Sequence, residues 1–395
     1  MEKASFLSEP VIVKGFEIAK MAGGEGRLVG GVVRDWLIGR PLGDYDMAVN
    51  VPITDFADTA RAKGYRIIET GLAHGSVSLH YEGVNLEVTQ TRSDIETDGR
   101  HAVIGFTPSF EEDAKRRDFT INALYLDADG TLHDPLNGRA DLAAKKIAFI
   151  GDAAARMQED YLRILRYFRF AAQLPGFVLE EATLAIIAAH LDGLRHVSGE
   201  RILVEFQKFF GGENWSHNLP LLSMTGIDSA LFGGAFYPLH PLHARFDSWQ
   251  CAAASCLTPA AKTGFLKLPL SRQDKALIGR LLTPFEAGEI EALQTDSWRE
   301  AVHFGGDDFY QRCLIQQHHQ GLGLSEGRLS EIENFTPPPC PVTGHHLQQA
   351  GVPAGPEIGA LLRLAELAYI RSDYQHGAGD IIAELMRAKY DETDK

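Results

Sequence analysis

Between residues 30 and 49 the chain reads GGVVRDWLIGRPLGDYDMAV, an order that leaves little freedom of architecture. The preceding Leu28-Val29 reads as a strand running into a glycine turn. Residues 32–39 fit a short helix stopped at Gly39-Arg40-Pro41, and YDMAV (45–49) reads as a second strand. In a strand, positions i and i+2 face the same side, so Asp44 and Asp46 present their carboxylates together. Gly30 and Gly31 let backbone N–H groups approach an anion at a helix start, whose partial positive end favours one. Arg34 adds a charge-assisted contact. Magnesium prefers a few carboxylates plus substrate phosphates. The stretch is therefore read as a triphosphate site with one or two divalent ions. Glu87, in NLEVTQT, is the candidate third carboxylate from a neighbouring strand.

The surroundings agree with a sheet. YRIIET (65–70) reads as a strand. SVSLHY (76–81) and VNLEVTQT (84–91) read as a hairpin, and ALYLDADGTLHD (123–134) as another across Asp129-Gly130. TRSDIETDGRHAVIGFTPSFEED (91–113) reads as a long loop poor in structure, a length that in compact domains is functional or disordered. After about residue 140 the two-residue period fades. EDYLRILRYFRFAAQL (159–174), EEATLAIIAAHL (180–191), ERILVEFQKFF (200–210), DKALIGRLL (274–282) and PEIGALLRLAELAYI (356–370) carry helical periodicity. ENFTPPPCPVTG (333–344) is the clearest linker. The fold class is α+β: a head with a mixed sheet and helices, then helices alone.

A chain of 395 residues exceeds one ordinary core. No run approaches the roughly 20 apolar residues of a membrane span, and the first residues lack a secretory pattern. A cytoplasmic protein without membrane attachment is expected. Its four cysteines show no zinc spacing and suit a reducing compartment. The net charge of −15 argues against a nucleic-acid partner on average, although a local basic stripe escapes that argument.

Such a stripe is present. Asp160, Arg163, Arg166 and Arg169 recur every third residue, one slowly turning face of a helix. Leu162, Ile164, Leu165 and Phe168 form its buried side. The rigid fork of arginine suits planar recognition of bases and phosphates. Cytosine and adenine both place an amino donor beside a ring-nitrogen acceptor. Asp160 can accept from the amino group and Arg163 can donate to the ring nitrogen. Uracil and guanine present the opposite polarity and leave both groups unpaired, at about 1–3 kcal/mol each.

Five segments together resemble the tRNA nucleotidyltransferase and bacterial poly(A) polymerase family, within the polymerase-beta-like nucleotidyltransferase superfamily. These are GGVVRDWLIGRPLGDYDMAV, RRDFTINALYLD (116–127), DPLNGRADLAAKKI (134–147), EDYLRILRYFRFAA (159–172) and GERILVEF (199–206), in the family's order. The resemblance covers roughly residues 27–210. Beyond it, only HLQQAGVPAGPEIGALL (346–362) matches, loosely. It implies a catalytic head over 1–140, a nucleotide-selecting neck over 141–210, a helical body over 211–335 and a tRNA-binding tail over 336–395. It implies template-independent addition of CCA to the 3′ end of tRNA from CTP and ATP, with pyrophosphate released and two Mg²⁺ ions taking part. Poly(A) addition to RNA 3′ ends is the alternative. Asp44, Asp46 and Glu87 would be catalytic, the first two as metal ligands. Arg117 would contact the triphosphate and Asp118 the ribose 2′-hydroxyl, with Asn122 secondary and Arg116 able to pair with RNA phosphate. Asp160 and Arg163 would read the base, with Arg166 and Arg169 holding its edge, the phosphates or the helix. Gly30, Gly31 and Arg34 complete the nucleotide site. The 91–113 segment resembles the family's flexible loop, with Arg100 as a lever on substrate. The helical C-terminal part would bind the acceptor and TΨC arms by shape and phosphate contacts.

Overall fold

The computed structural model describes residues 4–97, 102–238 and 245–393. Its first helix, α1 (Pro10–Met21), has no counterpart in the sequence reading. It starts on proline, whose fixed φ suits a first helical position, and buries Val11, Ile12, Gly15, Ile18 and Ala19. A Cβ at Gly15 would lie 2.5 Å from Leu86 Cδ2, so a larger residue would force helix and sheet apart.

Strands β1 (Gly26–Val29), β2 (Tyr45–Val49), β3 (Arg66–Gly71), β4 (Ser76–Tyr81), β5 (Val84–Gln90), β6 (Arg92–Thr97), β7 (Ala102–Phe106), β8 (Tyr125–Leu126) and β9 (Leu132–His133) follow. Seven of them form one mixed sheet in the order β3-β4-β5-β2-β1-β8-β9. β2 and β5 run parallel, with Asp46 opposite Glu87. The other neighbours are antiparallel. Both hairpins expected from sequence are present. Helices α2 (Gly31–Leu37), α3 (Ile53–Ala62), α4 (Phe110–Lys115) and α5 (Gly138–Ala143) lie between or after the strands.

The 91–113 segment is not a structureless loop. β6 and β7 pair with Arg92 opposite Phe106. The Ser109 hydroxyl then caps α4 by accepting from the Glu112 N–H. TRSDIET lacks a clean alternation of apolar and polar residues, so periodicity alone does not reveal the ladder. Residues 98–101, Arg100 among them, lie outside the described residues.

The helical region begins with α6 (Ala153–Glu159), α7 (Leu162–Gln173), α8 (Glu181–Ala189) and α9 (Gly199–Phe210). Leu162, Ile164, Leu165 and Phe168 are buried as expected. Asp160 departs from expectation. Its backbone is extended (φ −154°, ψ 102°) and breaks the helix between α6 and α7. It therefore does not share a helical face with Arg163, Arg166 and Arg169. The short polar side chain competes for backbone donors, and its Oδ1 accepts the Leu162 N–H at 3.1 Å.

The chain forms two compact units. Residues 1–239 and 257–270 make the first, so the expected head and neck share one unit. Residues 240–256 and 271–395 make the second. It holds two cores, one around Leu293, Cys313 and Leu329, the other around Leu347, Ala365 and Ile381. The proline-rich stretch separates them in sequence. Among the described residues no helix is long and apolar enough to cross a membrane.

Helix α5 is fixed against the turn that carries Asn122. Asp134 accepts the N–H groups of Gly138 and Arg139 at 2.7 and 3.0 Å, and the Thr120 hydroxyl donates to Asp141. A Cβ on Gly138 would meet the Thr120 carbonyl oxygen at 2.2 Å. The obstacle is backbone and cannot rotate away. Gly138→Ala should therefore cost about 3 kcal/mol, read as a lower midpoint in urea with nucleotide absent.

Candidate active site

One cavity, of about 440 Å³, gathers most of the residues expected from sequence. Gly30, Gly31, Arg34, Asp44, Asp46, Arg117, Asp118, Asn122, Arg166 and Arg169 line it, joined by Phe170, Gln173 and Lys208. Glu87, Asp160 and Arg163 do not line it.

The floor comes from the turn between β1 and α2. Gly30 has φ 76° and ψ −127°, a conformation open to glycine at little cost. It leaves the start of α2 bare toward the cavity. A Cβ there would point toward Arg117 Nη1, 3.9 Å away. Arg34, on α2, is almost wholly buried. Its Nε and Nη2 hold Asp35 at 2.9 and 3.0 Å, and its Nη1 donates to Asn122 Oδ1 at 2.8 Å.

Arg117 is positioned by a residue the sequence reading missed. Asp113, on α4, is fully buried. It accepts from Arg117 Nε and Nη2 (3.1 and 2.9 Å), from Arg116 (2.9 and 2.6 Å) and from the Tyr125 hydroxyl (2.9 Å). Burial alone would raise its carboxyl, but Arg117 and Arg116, with hydrogen bonds from Arg116 and Tyr125, hold it below the usual range. The signal was its place in EEDAKRRD, one helical turn before two arginines. Arg116 is tied to Asp113.

Asp118 is also saturated. Its Oδ1 accepts from the Phe119 N–H (2.8 Å) and Asn122 Nδ2 (3.1 Å), and its Oδ2 accepts a two-pronged contact from Arg166, Nε at 2.7 Å. Burial would raise its carboxyl, yet Arg166 and these hydrogen bonds keep it lowered. Arg169 meets buried Glu205 of α9, Nε to Oε2 at 3.3 Å. Burial first, then neighbouring Arg166, pushes the Arg169 guanidinium down to about 10.

Asp44 precedes β2 and Asp46 lies within it. Asp46 is exposed as a residue, yet enough protein surrounds its carboxyl for burial to raise it to about 6. Asp44 and Glu87 raise it further, and Arg117 and Lys208 oppose them. Among the described residues no three His, Cys, Asp or Glu side chains converge as a metal cluster. Glu87 thus sits beside Asp46 in register without completing a three-carboxylate site. Two carboxylates under mutual repulsion still fit magnesium, which completes its shell with water and phosphate oxygens.

Residues 26–148 match the family model described as poly A polymerase head domain, and 176–235 match the probable RNA and SrmB-binding site of polymerase A. The mitochondrial CCA tRNA nucleotidyltransferase 1 of Mus musculus is 33% identical over 379 residues, covering 91% of this chain and 86% of the relative. The CCA-adding enzyme of Geobacillus kaustophilus is 39% identical over 397 residues, covering 93% and 94%. This chain belongs to the class II CCA-adding enzyme family. Among solved structures, the Bacillus stearothermophilus CCA-adding enzyme in complex with CTP superposes with a TM-score of 0.72 at 28% identity, covering 98% of both chains.

Against that family background, the two residues expected to read the base lie outside the cavity and are already engaged. Asp160 Oδ2 accepts from Arg201 at 2.7 Å. Arg163 donates to Glu159 (2.6 Å) and to the carbonyls of Arg156 (2.7 Å) and Arg116 (3.3 Å). Arg201 and Glu205 were visible in GERILVEF only as helix formers. Their charges matter because α9 packs along α7.

Proposed function

We propose that this member of the CCA-adding family builds the CCA end of tRNA from CTP and ATP, without a nucleic-acid template. The observation that carries the reading is the single cavity joining the Gly30-Gly31 turn, Arg34 and Arg117 to Asp44 and Asp46. Anion-binding groups and metal-binding groups line the same cavity. The tRNA 3′-hydroxyl attacks the α-phosphate, the bond to the β-phosphate breaks, and pyrophosphate leaves. Arg117 and the turn hold the phosphates, which is mainly positioning and electrostatics. Asp44 and Asp46 would hold magnesium, two ions in our reading, which lowers the pKa of the attacking hydroxyl and neutralises phosphate charge. Glu87 acts on Asp46 through its field.

Asp118 and Asn122 are assigned to the ribose. All four acceptor sites of Asp118 are filled in the free protein, so the 2′-hydroxyl binds by displacing one Arg166 contact. The base readers require a similar exchange. Arg163 leaves Glu159 for the ring nitrogen, and Asp160 accepts the amino group. Arg166 and Arg169 support that wall. Asp160→Ala should narrow the preference for CTP and ATP over UTP and GTP by about 10- to 100-fold, the worth of one mispaired polar group. Single-turnover incorporation with each nucleotide measures it.

Our reading keeps a head over 1–140, a neck over 141–210, a body over 211–335 and a tail over 336–395 that grips the acceptor and TΨC arms. It places the enzyme in the cytoplasm. Some relatives are named mitochondrial, and fractionation separates the two locations. The deciding experiment uses tRNA transcripts ending before CCA, after C and after CC, with CTP, ATP or both. Products that stop at CCA support the reading. Unlimited growth with ATP alone would make the protein a poly(A) polymerase, the activity its head-domain match names.

A further inference from the structure

Every arginine on the cavity wall is held by a carboxylate of its own. Arg34 holds Asp35, Arg117 holds Asp113, Arg166 holds Asp118, and Arg169 holds Glu205. Lys208 is different. It lines the same cavity from the last turn of α9, is exposed, and makes no ion pair among the described residues. Its natural helical partner stands one turn earlier, at Glu205. But Glu205 is buried and turned toward Arg166 and Arg169. Lys208 is thus left as a charge on a flexible four-carbon stem, and the C-terminal end of its helix favours a cation there. Its field reaches the Asp46 carboxylate across the cavity.

We propose that Lys208 is a binding residue for the leaving group. Its ammonium binds the β- and γ-phosphates of the incoming nucleotide and follows them as pyrophosphate. This rests on the reading of the cavity as a nucleoside triphosphate site. The paired arginines are fixed in place and mark where the phosphates begin. A cation that owes no partner is the one able to move as charge shifts from the bridging oxygen to the departing pyrophosphate. The reaction balances without a proton from Lys208. The 3′-hydroxyl releases its proton to solvent, its oxygen bonds to the α-phosphorus, the bond from that phosphorus to the bridging oxygen breaks with the electron pair going to the oxygen, and the ammonium accompanies the charge by hydrogen bonds. No base contact is involved, so CTP and ATP feel it equally.

The test compares Lys208→Ala, Lys208→Arg and Arg117→Ala. The readouts are KM for CTP, ATP and tRNA, and magnesium pyrophosphate binding by calorimetry without tRNA. Lys208 is exposed, so its removal leaves the fold intact. For Lys208→Ala the expected result is a rise of about tenfold in KM for CTP and for ATP alike, the scale of one charge-assisted contact. Pyrophosphate binding weakens by the same factor, KM for tRNA is unchanged, and Lys208→Arg largely restores both. A rise confined to tRNA would overturn the proposal and make Lys208 an RNA-phosphate contact. If Arg117→Ala weakens pyrophosphate binding and Lys208→Ala does not, the proposal fails while the nucleotide reading stands. If neither variant weakens it, the nucleotide reading itself fails.

Discussion

Asp46→Asn is expected to abolish nucleotide addition, with a loss of at least about 10³-fold, and at the same time to make the free protein slightly more stable. Both effects have one cause. The Asp46 carboxyl is raised to about 6, first by burial and then by Asp44 and Glu87. Its unfolded value is near 4. A raised pKa means that the protonated form favours the fold. That contribution is complete below about pH 4 and is lost as pH rises through about 6. At neutral pH the charged side chain is therefore a liability that asparagine removes. Allowing for its exposure to solvent, the gain is about 1 kcal/mol. Melting curves should show the variant and the parent protein alike near pH 4 and separating up to about pH 6.5. Magnesium should raise the melting temperature of the parent but not of the variant. A variant no more stable than its parent at pH 7.5 would mean that the carboxylate is already neutralised within the protein.

The second large effect is expected at Asp113, which does not line the cavity. Asp113→Asn keeps the volume and removes the charge between Arg116 and Arg117. Breaking a buried pair from one side costs about 3–5 kcal/mol. Arg117 then keeps its bond to the Tyr125 hydroxyl but loses the charged half of its clamp, and kcat/KM for the nucleotide should fall about 100-fold. The pH dependence is opposite to that of Asp46. The Asp113 carboxyl lies below its ordinary value, so its stabilisation is present above about pH 4 and is lost as pH falls through the native pKa. The parent protein should therefore lose stability in acid more steeply than the variant. Stability unchanged in Asp113→Asn, measured by urea titration at pH 7.5, would refute this account.

The two-residue period and glycine turns made the head legible. Local patterns of four to eight residues defined β2, β4 and β5, and the parallel pairing that sets Asp46 opposite Glu87 completes what they began. The cavity was legible where a residue type announced its chemistry, as at Gly30, Asp44 and Arg166, and through the family resemblance at Arg117. Three things were hidden. The β6–β7 ladder rests on backbone pairing that the side-chain pattern does not advertise. The break at Asp160 arises from a local hydrogen bond that overrides an otherwise continuous helical period. Glu205 and Lys208 matter through what they face in space. A sequence shows neighbours one turn away, but not that Glu205 turns toward α7 and leaves Lys208 alone.

From Asp35 the wall of the cavity runs through Arg34, Asn122, Asp118, Arg166 and Glu205 to Arg169, each member bonded to or paired with the next. Charges alternate along it, with one amide as the joint. Changing any single charged member leaves a buried neighbour uncompensated. Drift at these positions is therefore open only to compensating pairs, and coupling between substitutions reaches side chains that never touch. The wall evolves as one character, while Lys208, attached to no link of it, is constrained by ligand alone and not by its neighbours.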